Sequence, residues 1–242
     1  MKKLLRNLLL QFFELIDEFY HQKRIEKFIK KKKIKIKTFI DVGAFEGKYT
    51  DLILKMQEKC KVIMIEPQSK YYSLLKEKYK NNNLIKIMKI GISDKETLLK
   101  LKINKHEITS TFSQFNHTNK YLNYKAILFN SNLKNMTTNS ENIEVFPLSL
   151  ILQKNNLDSI DLIKIDTEGH EYEVLYGTGE YIKKINYILV EIHVDKIYEN
   201  YNPDKIHNLL LERGFTLQKK FSFPFPFTTW EDRLYKNSKF LN

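Results

Sequence analysis

Residues 38–47 read Thr-Phe-Ile-Asp-Val-Gly-Ala-Phe-Glu-Gly, and this stretch decides the fold. An apolar run ends in an acid, and two glycines then bracket a turn before a helical pattern begins. A buried parallel strand that turns into a helix beside a nucleotide-like ligand has this pattern. Gly43 is expected to permit the turn and to let backbone N–H groups approach the ligand, while Gly47 is expected to let the helix pack against the strand.

The bulk composition predicts one domain with a full core. Hydrophobic residues make up 42% and charged residues 29% of the 242 residues. The net charge is +12, but the lysines are spread along the chain, which is typical of a Lys-rich composition. The aromatic residues form no single-strand binding motif, and no nucleic-acid partner is predicted. The single cysteine, Cys60, excludes a disulfide framework and a Cys-based zinc cluster.

An amphipathic helix is predicted over residues 4–29, because apolar residues recur there near helical spacing. The helix either covers one flank of the domain or makes peripheral contact with a membrane through its basic face, helped by the basic run 30–33. Acidic residues dilute that face and favour the first role; they are Glu14, Asp17, Glu18 and Glu26. Polar residues interrupt the early apolar run, so neither a signal peptide nor a membrane span is predicted, and a cytoplasmic location is expected.

Strands and helices alternate along the rest of the chain. Apolar strands are predicted at residues 39–42, 61–66, 84–90, 160–166 and 187–192, with helices between them. Residues 106–142 are rich in Asn, Ser and Thr and predict an insertion of short elements or loops. The predicted fold is α/β: a single doubly wound Rossmann-like domain at 34–242, with a mainly parallel sheet and a late antiparallel strand pair. Residues 1–33 form the N-terminal helical addition and its basic link.

Acidic residues stand at the carboxyl ends of the predicted strands, where open α/β sheets bind ligands. They are Asp41, Glu66, Asp94, Asp166 and Glu191. Glu66 follows Asp41 by one βα unit, the spacing of a carboxylate that accepts hydrogen bonds from two ribose hydroxyls. Three glycines and a pyrophosphate on a helix N-terminus would be typical of a dinucleotide site. The acid before this turn, and Glu46 within it, would repel a pyrophosphate but tolerate the cationic methionine end of S-adenosylmethionine, which is therefore favoured over NAD.

With these features the chain resembles the FkbM family of S-adenosylmethionine-dependent methyltransferases. The segments that carry the resemblance are 39–47, 65–67, 90–94, 160–171 and 190–193, within roughly residues 38–193. The glycine turn is generic, whereas the Lys-Ile-Asp-Thr-Glu-Gly block from Lys164 is much more specific. Two positions depart from the family pattern: Ser149 follows Leu148 where an aspartate is usual, and Phe45 takes a position that is often polar.

The resemblance implies a role for each matching residue. At the methionine end of the cofactor it places Asp41, Gly43, Ala44 and Gly47. It places Glu66 at the ribose and Ser93 and Asp94 near the adenine. The methyl-transfer side would carry Asp166, Glu168 and His170.

The expected reaction is O-methylation of a hydroxyl on a sugar, a glycan or another small molecule, and the hydroxyl must lose its proton. His170 and His193 are candidate general bases, because imidazole titrates near neutral pH. A magnesium ion held by Asp166 and Glu191, with His193 nearby, is an alternative means of lowering the hydroxyl pKa. The insertion and the segment 221–230 are expected to wall the acceptor pocket.

Two other functions stay open at this stage. One is a non-catalytic binding module that docks on a membrane or a glycan assembly, against which the full set of acids argues. The other is an NAD-dependent oxidoreductase, which lacks the third glycine at its expected place. The sequence assigns no oligomeric state.

Overall fold

The computed structural model describes residues 17–119, 122, 136–195, 197–222 and 230–240. The strands in these ranges are β1 (Thr38–Val42), β2 (Lys61–Ile65), β3 (Ile85–Met88), β4 (Gly91–Ser93), β5 (Thr97–Asn104), β6 (Thr137–Pro147), β7 (Ile160–Ile165), β8 (Ile185–His193), β9 (Phe215–Ser222) and β10 (Trp230–Asn237). The α-helices are α1 (Lys23–Lys31), α2 (Lys48–Met56), α3 (Ser69–Lys78), α4 (Leu148–Lys154), α5 (Glu171–Tyr176) and α6 (Pro203–Glu212).

The main sheet has the order β3-β2-β1-β7-β8-β10-β9. The first five strands are parallel, and β10 runs antiparallel between β8 and β9. This confirms the predicted α/β fold with a mainly parallel sheet and a late antiparallel pair. The strand order reverses between β1 and β7, so the crevice at their carboxyl ends is the position where such sheets bind ligands.

Helices cover both faces of the sheet, which explains the nearly continuous apolar strands. One cluster joins Ile40, Ile163 and Ile188 to the buried sides of α4, α5 and α6. The other joins Phe39 and Leu162 to α1, α2 and α3. Because side chains alternate along a strand, every strand of the main sheet contributes to both clusters.

A second sheet, of order β4-β6-β5, differs from the sequence-based expectation. The strand predicted at 84–90 ends at Met88, and Gly91–Ser93 leaves the main sheet to pair in parallel with the end of β6. β6 begins at Thr137, inside the region predicted to be a loose insertion. Its first half is polar and largely exposed, so it carries no apolar signal; backbone pairing with β5 makes it a strand.

The N-terminal helix predicted over 4–29 lies partly outside the described residues, since none before Asp17 is described. Its described part is a π-helical turn, Asp17–Gln22, followed by α1. Ile25 and Ile29 of α1 are buried in the same cluster as Phe39 of β1. None of the helices in the described part of the chain combines the length and the apolar character needed to cross a membrane. The domain division at 33/34 remains a prediction.

Candidate active site

A cleft opens at the carboxyl ends of β1, β2 and β7. The predicted site residues that line it are Gly43, Glu66, Asp166 and Glu168. Asp41, Ala44, Gly47, Ser93, Asp94, His170, Glu191 and His193 do not line it. Part of the predicted insertion forms its opposite wall, through Ile108, Ser110 and Phe112.

The other segment predicted to wall the pocket is 221–230. Residues 223–229 lie outside the described residues. At its start, Phe221 packs edge-on against Phe28 of α1, with ring centroids 5.7 Å apart. Phe221 thus belongs to the cluster between α1 and the sheet and does not line the cleft.

The turn after β1 depends on Gly43, whose φ of 82° lies in the left-handed region. A Cβ atom built on Gly43 would stand 1.8 Å from the backbone oxygen of Asp166, so β1 and β7 approach closely there. The N–H groups of Gly43 and Ala44 both donate to the backbone oxygen of Ile65, at 3.0 and 3.1 Å. These two amides therefore hold the turn against the end of β2. The cofactor contacts predicted for Gly43 and Ala44 stay a prediction.

Gly47 has a related steric role at the start of α2. Its φ is 78°, and a Cβ atom there would stand 2.6 Å from the hydroxyl oxygen of Tyr79 and 3.0 Å from Leu75. Gly47 thus permits the start of α2 to lie against the end of α3.

Asp41 faces α2 and not the cleft. Its side chain is buried and accepts a hydrogen bond from the Thr50 hydroxyl, at 2.7 Å. Burial raises the pKa of Asp41 to about 6. Asp41 therefore fastens α2 to β1 and supports the turn from behind.

Glu66 is the most tightly oriented carboxylate in the cleft. One oxygen accepts from the N–H of Phe45 and the other from the N–H of Gln68, each at 2.8 Å. Glu66 is 2% exposed, and burial raises the pKa of its carboxyl group to about 7. Each oxygen keeps further acceptor capacity, so two neighbouring hydroxyls of a ligand can bind to the same carboxylate. Phe45, with a φ of 46°, stacks on Tyr71 with ring centroids 3.9 Å apart.

His170 is paired with Ser93. Its Nε2 atom lies 3.0 Å from the Ser93 hydroxyl, which also donates to Asp94 at 3.2 Å. Burial lowers the pKa of His170, while the neighbouring Glu173 carboxylate opposes that shift. The structure thus groups His170 with the residues predicted near the adenine.

The turn after β7 carries Glu168 in a left-handed conformation, with a φ of 52°. Buried Glu171 holds this turn, because its Oε1 atom accepts from the Thr167 N–H, the Thr167 hydroxyl and the Gly169 N–H, each at 3.0 Å. The Thr111 hydroxyl also donates to the Glu168 backbone oxygen at 2.5 Å. No role was predicted for Glu171, although it ends the segment 160–171 that carries the family resemblance.

Glu171→Gln is expected to change how stability depends on pH. Burial raises the pKa of Glu171 from 4.5 to about 7, so the folded protein retains a proton that the unfolded chain has released. The free energy of unfolding of the wild type therefore falls as pH rises through this window, and the variant does not share that part of the fall. Urea unfolding at pH 5 and pH 7 should show the variant gaining about 2 kcal/mol on the wild type. Exposed Glu96→Gln is the control, and a pH-independent difference for Glu171→Gln would contradict the assignment.

Acidic groups and one imidazole gather at the ends of β7 and β8. His193 Nε2 lies 3.5 Å from a Glu168 oxygen and 3.6 Å from a Glu191 oxygen. Tyr198 donates its hydroxyl proton to Glu168 at 2.5 Å. Burial, with the nearby Asp166 carboxylate, raises the pKa of Glu191 well above its ordinary value. Glu168 lines the cleft, whereas His193 stands behind it and is 3% exposed.

The same three side chains are the ones that could share a metal ion. One donor atom from each of Glu168, Glu191 and His193 falls within a 4.8 Å group. Asp166, predicted as a ligand, stands outside this group and lies 3.3 Å from the Lys164 ammonium instead. An imidazole among the donors suits transition metals better than Mg²⁺, which prefers oxygen ligands. The donor set therefore does not favour magnesium.

Comparison with known proteins agrees with this fold. The sequence matches the methyltransferase FkbM domain over residues 41–217. Hexuronic acid methyltransferase AglP of Haloferax volcanii is 29% identical over 86 residues, which are 36% of this chain and 34% of that protein. The match thus spans about a third of the relative's length.

Among solved structures, magnesium protoporphyrin IX methyltransferase (ChlM) of Synechocystis PCC 6803 with bound SAM is similar. Its TM-score is 0.51 at 9% identity, over 90% of this chain and 80% of that chain. The same enzyme with bound SAH has a TM-score of 0.52 at 8% identity, over 90% and 82% of the two chains. At such low identity the likeness shows a shared fold.

Proposed function

The chain belongs to the FkbM family of S-adenosylmethionine-dependent methyltransferases, and on that premise we propose that it methylates a hydroxyl group of a saccharide. One observation carries the proposal: a single cleft brings together Glu66, held by two backbone N–H groups, and the carboxylates of Asp166 and Glu168. With the two ribose hydroxyls of S-adenosylmethionine bound to Glu66, its cationic methionine end would lie beside the Gly43 turn and Asp166. Ser93 and Asp94 would lie beyond the ribose, towards the adenine.

The saccharide acceptor has its own support. The matched curated relative is named for methylation of hexuronic acid, although the similarity covers only part of it. The cleft wall offers apolar surface to a sugar ring through Ile108 and Phe112. An acceptor hydroxyl that enters between this wall and Glu168 would meet a carboxylate.

In the proposed reaction a lone pair of the acceptor oxygen attacks the methyl carbon, in line with the bond to sulfur. The carbon–sulfur bond breaks with its electron pair going to sulfur, which leaves S-adenosylhomocysteine. Glu168 accepts the hydroxyl proton, because it lines the cleft, and His193 supports it from behind at 3.5 Å. Asp166 helps to hold the acceptor oxygen and the methyl group in line, so its role is in transfer more than in cofactor binding.

The test is formation of S-adenosylhomocysteine from S-adenosylmethionine with hexuronic acids, neutral hexoses and their activated forms as acceptors. Glu168→Gln is expected to lower kcat about 100-fold, as loss of a general base does, with little change in cofactor affinity measured by calorimetry. Glu173→Gln is the matched control, because Glu173 neighbours His170 and does not line the cleft. Failure of the wild type to bind S-adenosylmethionine would overturn the proposal. Loss of activity with EDTA and recovery with Mn²⁺ would instead assign Glu168, Glu191 and His193 to metal binding.

A further inference from the structure

Asp232 of β10 is a fully buried carboxylate with three partners. Its Oδ1 atom accepts a hydrogen bond from the Lys164 ammonium at 2.8 Å. Its Oδ2 atom accepts from the Tyr49 hydroxyl at 2.5 Å and lies 2.8 Å from Nε2 of His21. Burial alone would raise the pKa of Asp232, but Lys164 and His21 outweigh it and hold that pKa below its ordinary range.

Lys164 connects this carboxylate to the cleft. It is fully buried and lies 3.3 Å from Asp166, which is two residues further along the chain, just past the end of β7. The Tyr49 ring covers the ammonium, with its centroid 4.6 Å away. Because Lys164 has no access to water, its position is set by the two aspartates that share it.

Several buried acidic groups surround the Lys164 ammonium, which Asp166 and Asp232 share. The charged groups that face Lys164 from neighbouring strands and along its own are Asp41, Asp166, Glu191 and Asp232. A buried carboxylate without enough donors is costly, so Asp232 would draw Lys164 fully to itself if Lys164 were its main donor. His21 and Tyr49 satisfy the second oxygen of Asp232, which leaves Lys164 available to Asp166.

Two of these residues lie outside the family-matched segment. His21 belongs to the π-helical turn Asp17–Gln22, and Asp232 follows the end of the match at residue 217. The His21 ring also packs edge-on against Trp230 at 4.9 Å, and α1 continues onto the sheet through Ile25 and Ile29. π-helical turns occur often at functional sites, where they set the direction of one side chain.

We propose that His21 and Asp232 are positioning residues that fix Lys164 and, through it, the Asp166 carboxylate in the cleft. The N-terminal turn and β10 are therefore parts of the catalytic unit and more than a cover for the sheet. The proposal deepens the proposed function and rests on it for the role of Asp166.

The experiment compares His21→Ala, His21→Gln and Asp232→Asn with the wild type. We expect His21→Ala to lower kcat about tenfold, the effect of one charge-assisted hydrogen bond, with the dissociation constant of S-adenosylmethionine changed less than about threefold. His21→Gln keeps an amide donor and should recover much of kcat. Asp232→Asn should lower kcat more than His21→Ala does, because Lys164 then loses one of its two charged partners.

The matched control is His207→Ala on α6, which removes a half-buried histidine whose Nδ1 atom lies 3.0 Å from the Tyr235 hydroxyl of β10. Circular dichroism verifies that each variant is folded at the assay temperature. A merely structural role predicts that His21→Ala and His207→Ala behave alike and that His21→Gln gives no recovery, and that result would overturn the proposal.

A crystallographic comparison is independent of turnover. In Asp232→Asn the Lys164 ammonium should move towards Asp166, and an unmoved Lys164 would contradict the proposal. If the wild type forms no S-adenosylhomocysteine, the proposed function is wrong. The crystallographic comparison then still tests whether Asp232 sets the position of Lys164.

Discussion

Replacing Glu66 by alanine is expected to weaken binding of S-adenosylmethionine about 100-fold. The substitution removes the acceptor proposed for both ribose hydroxyls, and hydrogen bonds to a charged group contribute more than neutral ones. It also leaves the N–H groups of Phe45 and Gln68 without the carboxylate that now accepts from them at 2.8 Å. Calorimetric titration with S-adenosylmethionine and S-adenosylhomocysteine measures the loss.

Glu66→Gln should be nearly as harmful, which makes it a sharper test than alanine. Each carboxylate oxygen of Glu66 accepts from one backbone N–H, so either orientation of an amide places its NH₂ group against a donor. Glu96→Ala, at an exposed position after β4, is the control for loss of an acid. Cofactor affinity that stays within about threefold of the wild type in Glu66→Gln would refute the ribose assignment.

Gly43→Ala is expected to lower the free energy of unfolding by about 3 kcal/mol or more and to abolish cofactor binding. Two costs add: a φ of 82° disfavours any side chain, and the new Cβ atom would stand 1.8 Å from the backbone oxygen of Asp166. Relief requires β1 and β7 to separate at the switch point. That movement would displace Asp166 and break the contact between the Gly43 turn and Ile65.

Gly214→Ala separates these two costs. Gly214 has nearly the same φ, 83°, but a Cβ atom built there meets no atom within 4 Å. Gly214→Ala should therefore lower the free energy of unfolding by only about 1 kcal/mol, which is the conformational part alone. Urea unfolding measures the free energy of unfolding of both variants. Equal decreases would show that the close approach of Gly43 to Asp166 does not contribute to the cost.

Much of the site's location followed from local patterns. The alternation of apolar strands with helices predicted a parallel sheet, and acids at the strand ends predicted where a ligand binds. Glu66, one βα unit after the glycine turn, was found by spacing and lies in the cleft as expected. Gly43 was found because a sharp turn needs a residue that tolerates positive φ.

The same patterns could not distinguish acids that face the cleft from acids that face a helix. Asp41 resembles Glu66 in sequence, but the packing of α2 turns it to Thr50. His170 was predicted at the methyl-transfer side, whereas the position of β4 in a second sheet brings Ser93 to it. The polar first half of β6 carries no apolar pattern and was not predicted as a strand. It becomes a strand through backbone pairing with β5, which requires no apolar side chains.

The sequence by itself determined the main sheet, because periodicity acts within a few tens of residues, and the family, through its matching segments. It also predicted the ligand-binding edge and the role of Glu66, which stay predictions. Only the tertiary structure decided which side chains meet: Glu168, Glu191 and His193 at one end, and His21 with Asp232 across 211 positions. Contacts of that range arise from how helices and strands pack, and burial then sets the charge of each group. The proposed reacting side is therefore a product of packing, next to the edge where the local sequence predicts the cofactor.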